Sequence, residues 1–491
     1  MTFERSTSDR MKQAVIEYPK HLGLHIDGEW VTSGRDVHTV LDPATGQSLG
    51  ALTLAGDEDL DRAIASAELG FRRWRSTAPA ARAAILFKAA NLLRARTEAI
   101  ATAATLEQGK PLAESRAEAS YVASLVEFYA GEAVRIYGRV LTRPAGARSL
   151  VLKEPVGPSV AFCPWNFPIL GPARKIAPAL AAGCSIILKP AEETPASAIG
   201  VAQCFLDAGL PPSVLSLVFG VADRVSARLL SSPIIRKLSF TGSVAVGKHL
   251  LRLASGTMKK TTMELGGHAP VLVFEDCDVE GTAASLAAAK FRNAGQVCVS
   301  PTRFYVQESV YDRFLNAFLA KAETVRLGPG IEKSTTMGPV ANSRRIAAME
   351  HLVADARAAG ANLAVGGERG ESKGGLFYRP TVLAHVPVAA RAMNEEPFGP
   401  MALINSFRTV EEALEQANRL PYGLAAFAFT ENGRRQLLLQ ENIECGLLGI
   451  NTLALSAVDA PFGGVKESGH GSEDGPEGLD AFLVTKTVHQ G

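Results

Sequence analysis

From about residue 158 the chain alternates short apolar runs with helix-like stretches, and this alternation limits the possible folds more than any other feature. The runs "SVAFC", "CSIILK", "LSLVFG", "KLSFTG" and "APVLVF" are too short for helices and are bounded by turn residues, whereas "ARKIAPALAAG" and "TPASAIGVAQCFLDAGL" between them read as helices. Strand, helix, strand in repetition predicts a parallel sheet with helices on its faces, an α/β fold. Ligands on such sheets bind where strand ends meet helix N-termini, so the turns after these strands are where chemistry is expected.

The flanking regions extend this pattern. Residues 57 to 137 read as helices, with Asp57 as a candidate cap and Ile85, Ala89, Leu92 and Leu93 spaced to share one face. Beyond residue 300 the alternation resumes with "TRFYVQ", a helix from about Val310, a second from about Ser343, and strands at "MALINSF" and "LAAFAFT". A second α/β unit is predicted, in keeping with 491 residues, more than one core accommodates. "RVLTRPAGARSLVLKEP" reads as a hairpin and "AFLVTKTVHQ" as a terminal strand. Neither has an obvious core of its own, so a second copy of the chain is expected to cover their edges in a homodimer or homotetramer.

Charge and composition exclude several partners. A net charge of +1 gives no basic face for nucleic acid or an anionic membrane. The N-terminal "MTFERSTSDRMKQAVIEYPK" lacks the apolar stretch of a secretory signal, and "APALAAGCSIIL" is too short to span a bilayer, so a cytoplasmic protein with this run in its core is expected. The six cysteines are scattered, with no C-x-x-C pair and no histidine at zinc-ligand spacing. Reduced thiols and no metal site are expected.

Three short stretches carry possible chemistry. "LSFTGSVAVGKH" nearly spells a P-loop, but His249 stands where a hydroxyl would hold magnesium. Gly242 and the helix start after it can still receive a phosphate, and a dinucleotide pyrophosphate suits a parallel sheet best. "FRNAGQVCVS" sets Cys298 in a polar run where a thiol has little to pack against, although free cysteines are more often small buried hydrophobes. "MELGG" puts Glu264 between a strand and two glycines, the position of an ordinary turn residue or of a general base.

Together with "PWNFP", "LKPAEETP", "FTGS", "ELGG", "GQVC", "EEPFGP" and "PFGGVKESG", in that order and spacing, the chain resembles the aldehyde dehydrogenase superfamily over nearly its whole length. The resemblance implies a Rossmann-like NAD-binding domain (1–137 and 156–265), an α/β catalytic domain (266–465) and a small β oligomerisation arm (138–155 and 476–491). It implies that Cys298 attacks an aldehyde, that Asn166 and the Cys298 backbone N–H hold the oxyanion, and that Glu264 activates water to release a free acid. It also implies NAD as cofactor. Lys189 and Glu192 would meet the adenosine ribose, Gly242 and Ser243 the pyrophosphate, and Glu396 and Phe398 the nicotinamide end, with Pro164, Trp165 and Leu265 alongside.

Within the family, Arg174, Arg292 and Ser456 match positions that bind the distal carboxylate in succinate-semialdehyde dehydrogenases. A guanidinium fork and a hydroxyl suit that task. A short ω-carboxylated semialdehyde, succinate semialdehyde first, is therefore the expected substrate, with glutarate or 2-oxoglutarate semialdehyde or uncharged aldehydes as alternatives. A cysteine hydrolase is a poorer reading because the motifs bring only His268. Two departures stand out: "GHGSEDGPEG" replaces the usual "GLGREG", and Ser300 stands where a second cysteine could form a gating disulfide.

Overall fold

The computed structural model describes residues 18–371 and 374–491; the N-terminal stretch read above for a signal falls largely outside them. Its central sheet has eight strands. Five are parallel and lie in the spatial order Lys260–Glu264, Lys237–Thr241, Ser159–Phe162, Ile186–Lys189, Leu215–Leu217. Chain order thus reverses between Ser159–Phe162 and Lys237–Thr241, which opens a crevice at their carboxyl ends. Gly469–His470 closes one edge, and Leu24–Ile26 with Glu29–Val31 close the other, all antiparallel to their neighbours.

A second sheet has seven strands, in the order Asn362–Val365, Thr381–Ala384, Met401–Phe407, Pro301–Gln307, Ala269–Val273, Ala425–Phe429, Leu447–Ile450. All pairings but the first are parallel. Each of the two large sheets has its own hydrophobic core. They are joined directly: strand Lys260–Glu264 ends at Glu264, and Ala269–Val273 begins the other sheet after a four-residue link, 265–268. The carboxyl end of the first sheet is thereby set against the amino end of the second.

The predicted hairpin forms as Arg139–Thr142 and Arg148–Pro155, and Leu483–Gln490 adds antiparallel to it. Ala145 and Gly146 turn the tip with φ of 56° and 83°. Val140, Leu152 and Val484 leave apolar side chains exposed on this arm, and Tyr137 does so just before it. A small sheet of His21–Leu22, Ser48–Thr53 and Val37–Leu41, which the sequence pattern does not announce, precedes the helices.

The helical region consists of Asp57–Trp74, Pro79–Ala95, Thr97–Gln108 and Leu112–Glu132. In Pro79–Ala95 the fully buried stripe is Leu86, Ala89, Ala90 and Leu93, with Ile85 and Leu92 at its borders. Asp57 is the first helical residue rather than the cap. The cap is Gly56, whose N–H donates to Asp59 Oδ2 (2.9 Å), while Asp57 pairs with Arg224. The apolar run 177–188 is buried throughout, and no helix among the described residues is long and apolar enough to cross a membrane.

Candidate active site

The crevice between the two large sheets opens into a cavity of about 630 Å³. Cys298, Glu264 and Asn166 all line it, with Pro164, Trp165, Gly242, Ser243, Leu265, Glu396 and Phe398. Three separate elements deliver the three central groups. Asn166 follows strand Ser159–Phe162, Glu264 ends Lys260–Glu264, and Cys298 lies in the loop before Pro301–Gln307.

That loop is held rigidly. Asn293, Ala294 and Gly295 have φ of 49°, 50° and 71° in the left-handed region. Glycine is required at 295, because a Cβ there would fall 2.0 Å from the Gly399 carbonyl oxygen. Asn293 Nδ2 donates to the Asn166 carbonyl (3.0 Å) and accepts at Oδ1 from Gln108 Nε2 (2.8 Å). Gln296 Oε1 accepts from the Ala341 N–H (2.9 Å). "GQVC" and "EEPFGP" are therefore one packed unit. A Cβ at Gly266 would likewise strike Glu396 Oε2 at 2.3 Å, and one at Gly267 would lie 3.1 Å from the Cys298 carbonyl oxygen.

Asn166 is buried and doubly anchored. Its backbone carbonyl accepts from Lys110 Nζ (2.7 Å), which also pairs with buried Glu118 (2.8 Å) and lies over the Phe167 ring (4.3 Å). Glu118 Oε1 in turn accepts from the N–H groups of Ile169 and Leu170, at the start of helix Leu170–Ala182 (both 2.8 Å). One Asn166 Nδ2 hydrogen goes to the Gln296 carbonyl (3.1 Å), and a primary amide has a second to offer.

The electrostatics suit a base and favour the protonated form of the thiol. Neither Glu264 carboxylate oxygen has a hydrogen-bond partner among the described residues, although the side chain is buried. Burial, reinforced by the nearby Glu473 carboxylate, raises its pKa well above the usual carboxylate range. The Cys298 thiol is pushed up to about 12, first by burial and then by the negative charge of Glu396. An orphaned carboxylate facing a cavity is equipped to accept a proton from water admitted there.

The rest of the crevice fits a dinucleotide. Gly242 follows strand Lys237–Thr241 and Ser243 caps helix Val244–Ser255, its Oγ accepting from the Val246 N–H (3.4 Å), so a helix N-terminus faces the cavity. Glu396 Oε1 accepts from the Gly267 N–H (3.1 Å), and burial raises its pKa to about 7. Trp165 and Phe398 meet edge to face with ring centroids 5.6 Å apart. At the next strand end Lys189 pairs with Glu192 (2.7 Å), whose Oε1 also accepts from the Gly220 N–H (3.0 Å). These two do not line the cavity.

The three expected substrate anchors are not gathered in the cavity. Arg174 lines it, but its Nε donates to Asp474 Oδ1 (3.0 Å), its Nη2 donates to Oδ2 of the same carboxylate, and its guanidinium lies 4.4 Å from the Phe462 ring. Arg292 is exposed and outside the cavity lining. Ser456 is exposed in the loop after Leu447–Ile450 and is also outside the lining. Phe167, Leu170, Phe462 and Glu473, which sequence reasoning did not single out, occupy the lining instead. The one available signal for Glu473 and Asp474 was the departure of "GHGSEDGPEG" from the usual motif.

Comparison with known proteins agrees with this geometry. Residues 30–488 match the model of the aldehyde dehydrogenase family. The chain is 47% identical to the 4-(hydroxymethyl)benzenesulfonate dehydrogenase of Comamonas testosteroni over 468 residues, 95% of this chain and 97% of that protein. It is 40% identical to the succinate-semialdehyde dehydrogenase [NADP(+)] of Escherichia coli (strain K12), covering 94% of this chain and 96% of the relative. The crystal structure of betaine aldehyde dehydrogenase from Staphylococcus aureus in complex with NAD+ superimposes with a TM-score of 0.94 at 32% identity, covering 97% of this chain and 95% of that one. With a thiol, an amide and an unpartnered carboxylate converging beside a dinucleotide crevice, this chain belongs to the aldehyde dehydrogenase family, oxidoreductases acting on aldehydes.

Proposed function

We propose that the protein oxidises an aldehyde to its free acid with NAD, and the observation carrying this reading is the convergence of Cys298, Glu264 and Asn166 on one cavity. Cys298 Sγ adds to the carbonyl carbon, and the second Asn166 Nδ2–H with the Cys298 backbone N–H holds the oxyanion. When the oxyanion collapses, the C–H bond breaks with its electron pair and a thioester remains on Cys298. A bound nicotinamide supplies the acceptor for that hydride. Glu264 then takes a proton from water, whose oxygen attacks the thioester, and the C–S bond breaks to return the thiolate and release the acid.

Glu192 supports NAD over NADP, because a carboxylate held by Lys189 and the Gly220 N–H accepts bonds from ribose hydroxyls and repels a 2′-phosphate. The expected outcome is a kcat/KM for NAD at least about tenfold above that for NADP, and a tenfold preference for NADP would reject it.

For the substrate, a short ω-carboxylated semialdehyde draws support from the 40% identical relative named for succinate semialdehyde. The geometry favours a different body. Phe167, Leu170 and Phe462 beside Cys298, and an Arg174 already engaged by Asp474, suit an apolar or aromatic aldehyde whose recognition does not depend on Arg174. The 47% identical relative is named for a benzenesulfonate, which fits the aromatic part of this reading but also carries an anionic group. Assays of benzaldehyde, butanal, succinate semialdehyde and glutarate semialdehyde with NAD and NADP test both points. Higher kcat/KM for the first two is expected. The reverse order returns the preference to the carboxylated class, and no oxidation of any of them rejects the reaction.

A further inference from the structure

We propose that Asp474 sets the substrate range by occupying Arg174, so that the guanidinium lining the cavity is unavailable to an anionic aldehyde. This rests on the reaction proposed above and goes further, naming the residue that disfavours a carboxylated substrate. Asp474 is completely buried and accepts from Arg174 Nε, from Arg174 Nη2 and from the Tyr121 hydroxyl (3.2 Å).

The backbone supports the assignment independently. Asp474 has φ of 52° and ψ of 176°, a positive-φ extended conformation that glycine adopts freely and other residues adopt at a cost of roughly 1–3 kcal/mol. An aspartate is thus kept where glycine would be conformationally easier, and what it does there is hold Arg174. The neighbouring pair repeats the pattern: Lys175 Nζ, next in the same helix, bonds Glu473 and Thr241 Oγ1 (2.8 Å). Arg174 with Asp474 and Lys175 with Glu473 bring equal numbers of positive and negative groups to this wall. A distal carboxylate would meet no net positive charge there. To use the Arg174 fork it would have to displace a buried carboxylate from a two-point ion pair.

The segment is also held in place. Glu473 and Phe462 exchange two backbone hydrogen bonds (both 2.7 Å), which ties Asp474 to the Phe462 ring beneath the guanidinium. Asp474 acts through Arg174 and is a positioning residue.

The test compares kcat and KM for succinate semialdehyde and butanal, equal in carbon number, in the full-length wild type, Asp474→Gly and Arg174→Met/Asp474→Gly. Freeing Arg174 in Asp474→Gly should raise the succinate-semialdehyde to butanal ratio of kcat/KM by about tenfold or more, chiefly through KM. The double variant should return the ratio to within about threefold of wild type. Succinate should raise the melting temperature of Asp474→Gly and leave that of wild type unchanged. A folded Asp474→Gly with an unchanged or lower ratio overturns the proposal. Should Asp474→Gly not fold, the double variant still decides: a ratio about tenfold below wild type means that Arg174 already serves the anion, which overturns it, and an unchanged ratio supports it. Failure of the reaction itself would appear separately, as wild type inactive on both aldehydes.

Discussion

At the scale of single residues, the site depends on groups whose protonation is set by burial. In the proposed reaction Cys298 and Glu264 both act in their deprotonated forms, and burial raises both pKa values, so kcat/KM should climb with pH into the alkaline range and be lost on acidification. A pH–rate profile flat between roughly pH 6 and 10 would contradict this. Glu264→Gln should spare thioester formation and impair its hydrolysis. Rapid mixing with NAD should then show a burst of reduced cofactor near one equivalent, followed by turnover slowed about 10²–10⁴-fold. Loss of the burst would instead place Glu264 before the hydride step. Asn166→Ala removes one oxyanion donor and should lower kcat by about 10²–10³.

At the scale of elements, the decisive feature is how the loop 292–298 is clamped between the helical region and the "EEPFGP" segment. Gly295→Ala demands a left-handed alanine with its Cβ against the Gly399 carbonyl. It should destabilise the fold by at least about 1–3 kcal/mol in denaturant titration and disturb Cys298 at the same time. Lys110→Met leaves Glu118 buried without its ammonium and frees the Asn166 carbonyl from one of its two donors. A loss of roughly 3–5 kcal/mol is expected from the broken ion pair, with kcat falling further than the folded fraction explains. A variant with unchanged kcat per folded molecule would show that Lys110 serves stability alone.

At the scale of the whole molecule, the arm formed by Arg139–Thr142, Arg148–Pro155 and Leu483–Gln490 exposes Val140, Leu152 and Val484, with Tyr137 exposed just before it. A three-stranded sheet with exposed apolar side chains on it is well suited to cover by another copy of the chain. Sedimentation at micromolar concentration should therefore detect a homodimer or homotetramer, and Val140→Asp/Val484→Asp should shift it toward monomer. A wild type that sediments strictly as a monomer would remove the assignment.

The sequence by itself determined the two α/β units and the three residues, Asn166, Glu264 and Cys298, that meet in the cavity lining. Strand–helix alternation is a local pattern, and the motifs around Asn166, Glu264 and Cys298 sit at strand ends, where turn chemistry is written in neighbouring residues. It did not announce the small sheet formed by His21–Leu22, Val37–Leu41 and Ser48–Thr53, whose strands are short and mostly exposed on one side. Only the tertiary structure decided which charges remain available. Arg174 and Asp474 lie 300 residues apart and meet because Gly469–His470 returns the chain to the edge of the first sheet, beside the helix that carries Arg174. Ion pairing of this kind depends on which distant segments pack together, and no local pattern encodes it. Arg292, six positions from the nucleophile in sequence, likewise lies outside the cavity that the nucleophile lines, a placement set by how the chain packs rather than by spacing.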